Sequence, residues 1–386
     1  SVVGGGNAAS EGGVRVKTLV VGGTGPTGPP IVAGLEARGH EVTICHTGGH
    51  EVDEVMHLRH IHCDVRDEAA LRETIGAEEW DVAVVTYGRL RTIAEVLAGR
   101  VGHFVSVGGG PALRGYFDPW AHDPPGLPLP TPETAPTATE ADDGKSYRIA
   151  RTEDYVFEHH PTATHFRYPY VYGPRQLAPR EWCFVKRILD GRPHVVLADG
   201  GQSVHSFGYT ENLAHAIHLA VDQPEAAAGR IFHAADEEML TVRQVAEICA
   251  ATLDHDWEIV SMPADLAIPA RPLMMQPSTH HRAFDISELR HALGYRDVVP
   301  ARQAVARTAR WLADNPHPPG DIVERIMEDP FDYENEDRLI AWWKDATAAP
   351  PDLTWETMPG YGLSYAGPGT SYELSLIHIS EPTRPL

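Results

Sequence analysis

The stretch VVGGTGPTGPP, Val20 to Pro30, limits the fold more than any other part of the chain. An apolar run, VKTLVV, leads into it, and a helical pattern, PPIVAGLEAR, leads out of it. It can be spaced as Gly22-x-x-Gly25-x-x-Gly28 or as Gly23-x-Gly25-x-x-Gly28. Glycines let the chain turn tightly and let a pyrophosphate approach the backbone. The helix start then offers free N–H groups and the positive end of its dipole. Pro29 and Pro30 suit a first helical turn, where N–H groups have no intrahelical acceptor. Strand, glycine turn and helix in this order give the motif its meaning as a dinucleotide phosphate site, with Pro26 and Thr27 inside the loop.

The residues around this loop keep alternating. HEVTICH, HIHCD, DVAVVTY and GHFVSVG are apolar enough to be strands, and DEAALRETI and RTIAEVLAGR follow helical patterns. Repeated βαβ units with right-handed crossovers predict a Rossmann-type doubly wound parallel sheet, an α/β fold with a smaller C-terminal substrate-binding region. Residues 15–165 are expected to be mainly the NAD(P)-binding part. Residues 166–317 would complete it and carry the substrate region, with ATHFRYPYVYG as one strand. Residues 318–373 read as an acidic helical extension. A Pro-rich stretch, Asp118 to Asp143, cannot continue a helix or a central strand, and is either a surface linker or a loop over a site. Residues 1–14 read as a disordered leader without the build of a signal peptide. Residues 374–386 read as non-native, since LSLIHISEPTR has the look of a translated sequencing-library adapter.

Charge narrows the partners. The chain carries 32 Lys and Arg against 54 Asp and Glu, a net −22, which repels phosphate backbones and anionic lipid. A nucleic-acid or membrane partner is therefore not expected. No apolar run approaches the ~20 residues of a membrane helix. The four cysteines, Cys45, Cys63, Cys183 and Cys249, form no CxxC pair, which fits a reducing cytoplasm.

Two histidine-bearing segments bear on ligands. A dinucleotide fold usually ends its second strand on a carboxylate for the ribose hydroxyls. Here the strand ends Cys45-His46-Thr47-Gly48, without one. His46, Thr47 and His50 can donate hydrogen bonds instead, a slight lean to NADP over NAD. Further on, His57-x-x-His60-x-His62-Cys63 invites a zinc assignment. In a strand, however, His60 and His62 share a face and Cys63 points away, so no metal site is expected.

Several pieces then succeed one another in a familiar order. They are GGTGPTG, Asp64 after the third strand, Thr86-Tyr87-Gly88 after the fourth, Glu133 in the Pro-rich loop, Tyr147 opening a helix, RYPYVYGPRQ, and later LADGGQSVHSFGYTENLAHAI and DISELRHALGY. In this succession the chain resembles the extended short-chain dehydrogenase/reductase superfamily, in its NAD-dependent epimerase/dehydratase branch. The resemblance spans roughly residues 15–315 and implies an oxidoreductase with NAD(P) as cofactor and a small-molecule substrate. It implies that Gly22, Gly25 and Gly28 meet the pyrophosphate and that Asp64 meets the adenine amino group. Thr86, Tyr87 and Gly88 would border the nucleotide, and Pro169 and Tyr170 would lie near the nicotinamide. A homodimer is the family's common form.

By the same resemblance Tyr147 is the proton donor and acceptor at the substrate oxygen. A free phenol, with a pKa near ~10, is a poor base at neutral pH. A cation one helical turn away favours the phenolate. The family keeps Lys there. This chain has Arg151, a permanently protonated fork with different reach, also expected to hold the nicotinamide ribose; Lys145 lies on another face. The family's Ser or Thr after the fifth strand is replaced by Gly108-Gly109-Gly110, with Ser106 upstream as the nearest candidate and Tyr116 and Thr86 as other hydroxyls. Tyr170 stands where nucleotide-sugar members keep Asn, and GGQSVHSFG lacks their Arg. This favours hydride transfer at a carbonyl or secondary alcohol of a smaller molecule over a sugar epimerase or dehydratase with retained NAD. The missing Lys and Ser also leave a non-catalytic dinucleotide sensor as an alternative.

Overall fold

The computed structural model describes residues 15–49, 52–86, 89–274, 276, 278–349 and 351–360. The leader, the terminal segment 374–386, His50 and the expected nucleotide contacts Tyr87 and Gly88 lie outside the described residues. Residues through Ile340 form one compact unit and those from Ala341 a second. Among the described residues no helix is long and apolar enough to cross a membrane.

The glycine loop sits between strand β1 (Lys17–Val21) and helix α1 (Gly28–Ala37). The chain then alternates β2 (Glu41–His46), β3 (Arg59–His62), α2 (Glu68–Glu73), β4 (Trp80–Val85), α3 (Leu90–Val96), β5 (Val101–Gly109), α4 (Gly144–His159) and β6 (Thr164–Tyr168). Short strand β7 (Tyr170–Tyr172), helix α5 (Glu181–Leu189), strands β8 (His194–Ala198), β9 (Val204–His205) and β10 (Phe207–Tyr209), and helices α6 (Thr210–Asp222) and α7 (Pro224–Ala227) follow. The rest comprises β11 (Arg230–His233), β12 (Leu240–Thr241), α8 (Val242–Thr252), β13 (Glu258–Met262), α9 (Arg271–Met274), α10 (Ser287–Leu293), α11 (Ala301–Asp314), α12 (Ile322–Met327) and α13 (Tyr333–Thr347).

Seven strands make one parallel sheet in the order β11-β6-β5-β4-β1-β2-β3. This is the doubly wound Rossmann arrangement, with the chain reversing direction across β1 and β4. The strands read as continuous apolar runs because both faces are covered. Val20, Val82, Val84 and Val105 pack into the layer with α1 and α6. Leu19, Val21, Ala83, Val85 and Phe104 pack into the opposite layer with α3 and α4. Each strand thus feeds two cores by its period of two.

The segment expected as one strand, ATHFRYPYVYG, is two. β6 belongs to the large sheet, while β7 pairs with β10 in a separate ribbon. Pro169 separates them, and a residue without N–H cannot continue a central ladder. Here the chain leaves the large sheet for a second core, which gathers α5, α8 and α11 around Trp182, Phe184, Val245 and Leu312. The Pro-rich stretch is anchored rather than a free linker. Arg114 N–H donates to Pro136, Ala138 N–H to Ala112, and Thr131 N–H to Ala283. The acidic extension is tied to α5 through buried Arg187, which donates to Asp329 at 2.7 and 3.2 Å and to Glu336.

Candidate dinucleotide and substrate site

The loop after β1 has the shape its glycines allow. Gly22 takes φ +93°, which a side chain would strain. Gly25 N–H donates to Gly22 O at 3.2 Å and Gly28 N–H to Gly25 O at 2.9 Å. A Cβ on Gly28 would fall 2.1 Å from the Gly23 carbonyl oxygen. Helix α1 therefore starts hard against the turn, with Pro29 buried in its first turn. Thr27 is buried and Pro26 half-buried beside it. Thr86, just after β4, donates from N and from Oγ1 to Val21 O at 3.0 and 3.2 Å, so it borders the loop.

At the ribose edge, both ring nitrogens of His46 are engaged. Its Nδ1 accepts from Gly48 N–H at 3.1 Å and its Nε2 lies 2.8 Å from His60 Nδ1. Thr47 is exposed beside it. Asp64 is exposed, and one of its oxygens accepts from Arg66 N–H at 2.9 Å, a turn-forming bond.

Tyr147 lies in the first turn of α4, whose start is capped by Asp143 accepting from Lys145 and Ser146 N–H. Exposed Arg151 sits one turn on, its guanidinium carbon 6.0 Å from the centre of the Tyr147 ring. The Tyr147 phenol oxygen beside it raises the Arg151 pKa. Lys145 faces elsewhere, over the Phe117 ring at 5.3 Å. The turn Gly110–Ala112 packs against α4, so the triple glycine at the end of β5 does arrive beside the Tyr147 helix. A Cβ on Gly110 would meet Phe284 and Tyr116 at 2.5 Å, and one on Gly108 would meet His165 at the same distance. The glycines therefore make room for neighbouring rings.

Ser106 does not reach this edge. It is fully buried, and its Oγ pairs with His165 Nδ1 at 2.8 Å. It joins a polar seam beneath α4, in which Arg167 donates to both oxygens of Glu153 at 2.8 and 2.7 Å and to Glu133 O at 2.9 Å. Burial lowers His165 to about 3, so it is neutral. Glu133, raised by burial, accepts from His233 N–H at 3.0 Å.

Pro169 and Tyr170 line a cleft of about 220 Å³ together with Tyr116, Phe207, Arg180 and Arg282. The Tyr170 hydroxyl is occupied, donating to Ala178 O and accepting from Arg180 N–H at 2.6 Å. From the sequence Arg180 reads, with Arg175 and Lys186, as either a cation for a substrate diphosphate or part of a solvated face, while Arg282 carries no signal. Arg180 donates to Leu273 O at 2.9 Å and Arg282 to Met274 O at 3.0 Å, and each stacks on a tyrosine ring 4.8 Å away, Tyr170 and Tyr116 respectively. Neither forms an ion pair among the described residues, and the Nε of Arg180 is buried without a partner. Burial lowers Arg180 to about 10, and lowers Arg282 as well. Glu181, next to Arg180 in sequence, is buried and pushed up to about 7. Two buried arginines that form no ion pair among the described residues thus face one small cleft, and such groups can take an anion. Neither PREW nor HHRAF carries a sign of burial, and the fold alone brings Arg282 to Arg180. A larger cavity, about 890 Å³, shares Arg180 with this cleft and extends between Ala178, Ile268–Pro272 and α12–α13.

Residues 145–235, which hold Tyr147, Arg151, Pro169, Tyr170 and Arg180, match the model of the NAD dependent epimerase/dehydratase family. Protein y4nL of Sinorhizobium fredii is 28% identical over 170 residues, 39% of this chain and 47% of that protein. A 3-diazoavenalumate denitrifying reductase from Streptomyces sp is 27% identical over 256 residues, 62% of this chain and 82% of that protein. Among solved structures, UDP-glucose 4-epimerase of Thermotoga maritima with UDP-glucose superposes with TM-score 0.61 at 18% identity, covering 78% of this chain and 100% of that one. The chain spans about half or less of the length of the first curated relatives it matches.

Proposed function

Because the chain belongs to the NAD-dependent epimerase/dehydratase family of extended short-chain dehydrogenases/reductases, we propose that it is an NAD(P)-dependent oxidoreductase. It would move a hydride at the carbonyl or secondary-alcohol carbon of a small anionic molecule. The pairing of Tyr147 with Arg151, one turn apart on α4 beside Gly110–Ala112, carries this proposal. In it the Tyr147 hydroxyl gives a proton to the substrate oxygen on reduction and takes it back on oxidation. Arg151, a cation at every working pH, would stand beside the Tyr147 ring and offer its N–H groups to the nicotinamide ribose. The nicotinamide, when bound, supplies or accepts the hydride.

The glycine loop fits a dinucleotide pyrophosphate, since its crowding at Gly28 leaves room for backbone N–H groups and for no side chain. Gly22, Gly25, Pro26, Thr27 and Gly28 would hold that group, with Thr86 and Asp64 bordering the adenosine. The absence of a carboxylate at Thr47 supports NADP at least as well as NAD. With Ser106 committed to His165, Tyr116 in the cleft wall is the better-placed hydroxyl to support the substrate oxygen. Arg180 and Arg282 would seat the substrate's anionic group. The volume of about 220 Å³ supports a small molecule, below the ~300 Å³ at which pockets for drug-sized ligands begin.

The test is Tyr147→Phe assayed with NADH and NADPH across a panel of small keto acids. Turnover is expected to fall about 10²–10⁴-fold, with dinucleotide affinity, read by nicotinamide fluorescence, unchanged. Unchanged turnover would remove Tyr147 from the chemistry. Conversion of a nucleotide sugar without net formation of reduced cofactor would favour the epimerase alternative, for which a diphosphate on Arg180 and Arg282 is the supporting feature.

A further inference from the structure

We propose that His46, His60 and His62 form a binding site for one divalent transition-metal ion of the zinc type. The sequence pattern had argued against a metal because one strand alone supplied only two histidines on a face. The sheet adds the third. β2 and β3 are parallel neighbours with His46 in register with His62 and Ile44 with His60. All three imidazoles therefore project to the same face, while Cys45, Ile61 and Cys63 go to the opposite core. One ligand nitrogen from each histidine lies within 4.8 Å of the others, and the rings meet edge to face at 4.9 to 5.9 Å.

The hydrogen bonds define what each ring offers. Val55 O can only accept, so His60 Nε2, 2.8 Å away, carries a proton and donates to it. In the neutral ring the Nδ1 lone pair is then left facing His46 Nε2 at 2.8 Å. A histidine anchored by its far N–H on a backbone carbonyl has the usual outer support of a metal ligand. His46 grades to the core, His60 is half-buried and His62 is exposed, so the group has a firm base and an open side to solvent. Zinc holds imidazole nitrogens at ~2.0–2.1 Å, which places them about 3.3 Å apart; the three rings need only small shifts to meet this. Neutral imidazoles suit zinc, copper and nickel among available ions, and the net charge of −22 draws cations to the surface.

Binding has a proton consequence. At present His46 Nε2 carries the proton shared with His60, and His46 Nδ1 accepts from Gly48 N–H. For Nε2 to bind metal, that proton must move to Nδ1, with no net release. Nδ1–H and Gly48 N–H would then oppose each other, so the Thr47–Gly48 turn must yield. That turn ends β2, where the dinucleotide ribose is proposed to sit. Metal and dinucleotide are therefore coupled through it.

Zinc chloride titrated calorimetrically into the tag-free chain tests this. One site is expected, with His62→Ala and His60→Ala each weakening it at least tenfold; thermal melting of exposed-site His62→Ala checks that the fold is kept. Saturating zinc is expected to change the NADPH dissociation constant at least threefold in the wild type and not in His62→Ala. Equal zinc affinity in the wild type and both variants, or no saturable binding, would overturn the site. Unchanged NADPH affinity with zinc bound would overturn the coupling. Neither readout uses turnover, so failure here is separate from failure of the proposed oxidoreductase activity.

Discussion

Arg167 beneath α4 and the pair Arg180 and Arg282 at the substrate cleft are all buried, with 2%, 7% and 8% of their surface exposed. Their surroundings differ in one respect. Arg167 is clamped by both oxygens of Glu153, with Glu133 O as a third acceptor. Arg180 and Arg282 have carbonyl oxygens and tyrosine faces, and no carboxylate in contact among the described residues. A buried charge needs a partner, and one satisfied internally supports the fold while one left open costs stability unless a ligand supplies the missing charge. The contrast separates a structural seam from the proposed binding site using the same residue type.

Substitutions at the two places should therefore part company. The largest effect is expected for Glu153→Gln, which leaves Arg167 buried and uncompensated: a loss of about 3–5 kcal/mol, read from the midpoint of urea unfolding. Arg180→Met should leave unfolding stability level or higher, while KM for an anionic substrate rises about 10–100-fold, the worth of ~1.5–3 kcal/mol for bonds to a charged group. If Arg180→Met instead unfolds as readily as Glu153→Gln, the contrast is wrong. Gly28→Ala tests the nucleotide side, where overpacking against the Gly23 carbonyl should cost about 1–3 kcal/mol and weaken NADPH binding in fluorescence titration. Glu181→Gln should show its effect in the pH dependence of stability. The folded carboxyl titrates near about 7 because of burial, above the ~4.3 of an unfolded chain. Its contribution is present at acid pH and is lost as pH rises through about 7, because the folded state holds the extra proton. The wild type should thus lose on the order of 2–3 kcal/mol relative to the variant between pH 5 and 8, measured by unfolding at each pH.

Local chemistry explains what could be read in advance. The β1–α1 turn depends on residues adjacent in sequence, and Gly22, Gly25, Gly28 and the two prolines specify it alone. The alternation of strands and helices through β5 is equally local. The break at Pro169 was readable in principle from the missing N–H, yet ATHFRYPYVYG reads as one strand until a second sheet exists to receive β7. Ser106 shows the opposite limit. Its place two residues before the glycines made it a candidate hydroxyl, but the strand's period of two turned it towards His165, a neighbour 59 positions away.

The sequence by itself determined the doubly wound fold, the phosphate loop and the Tyr147–Arg151 pair, because turn geometry and helical spacing act over a few residues. Only the tertiary structure decided which arginines are left without a counter-charge, and which histidines share a face. Arg180 meets Arg282 across about a hundred residues of chain, and His46 meets His62 only through the pairing of two strands. Charge compensation and ligand convergence are properties of the space between elements, and no local pattern records them.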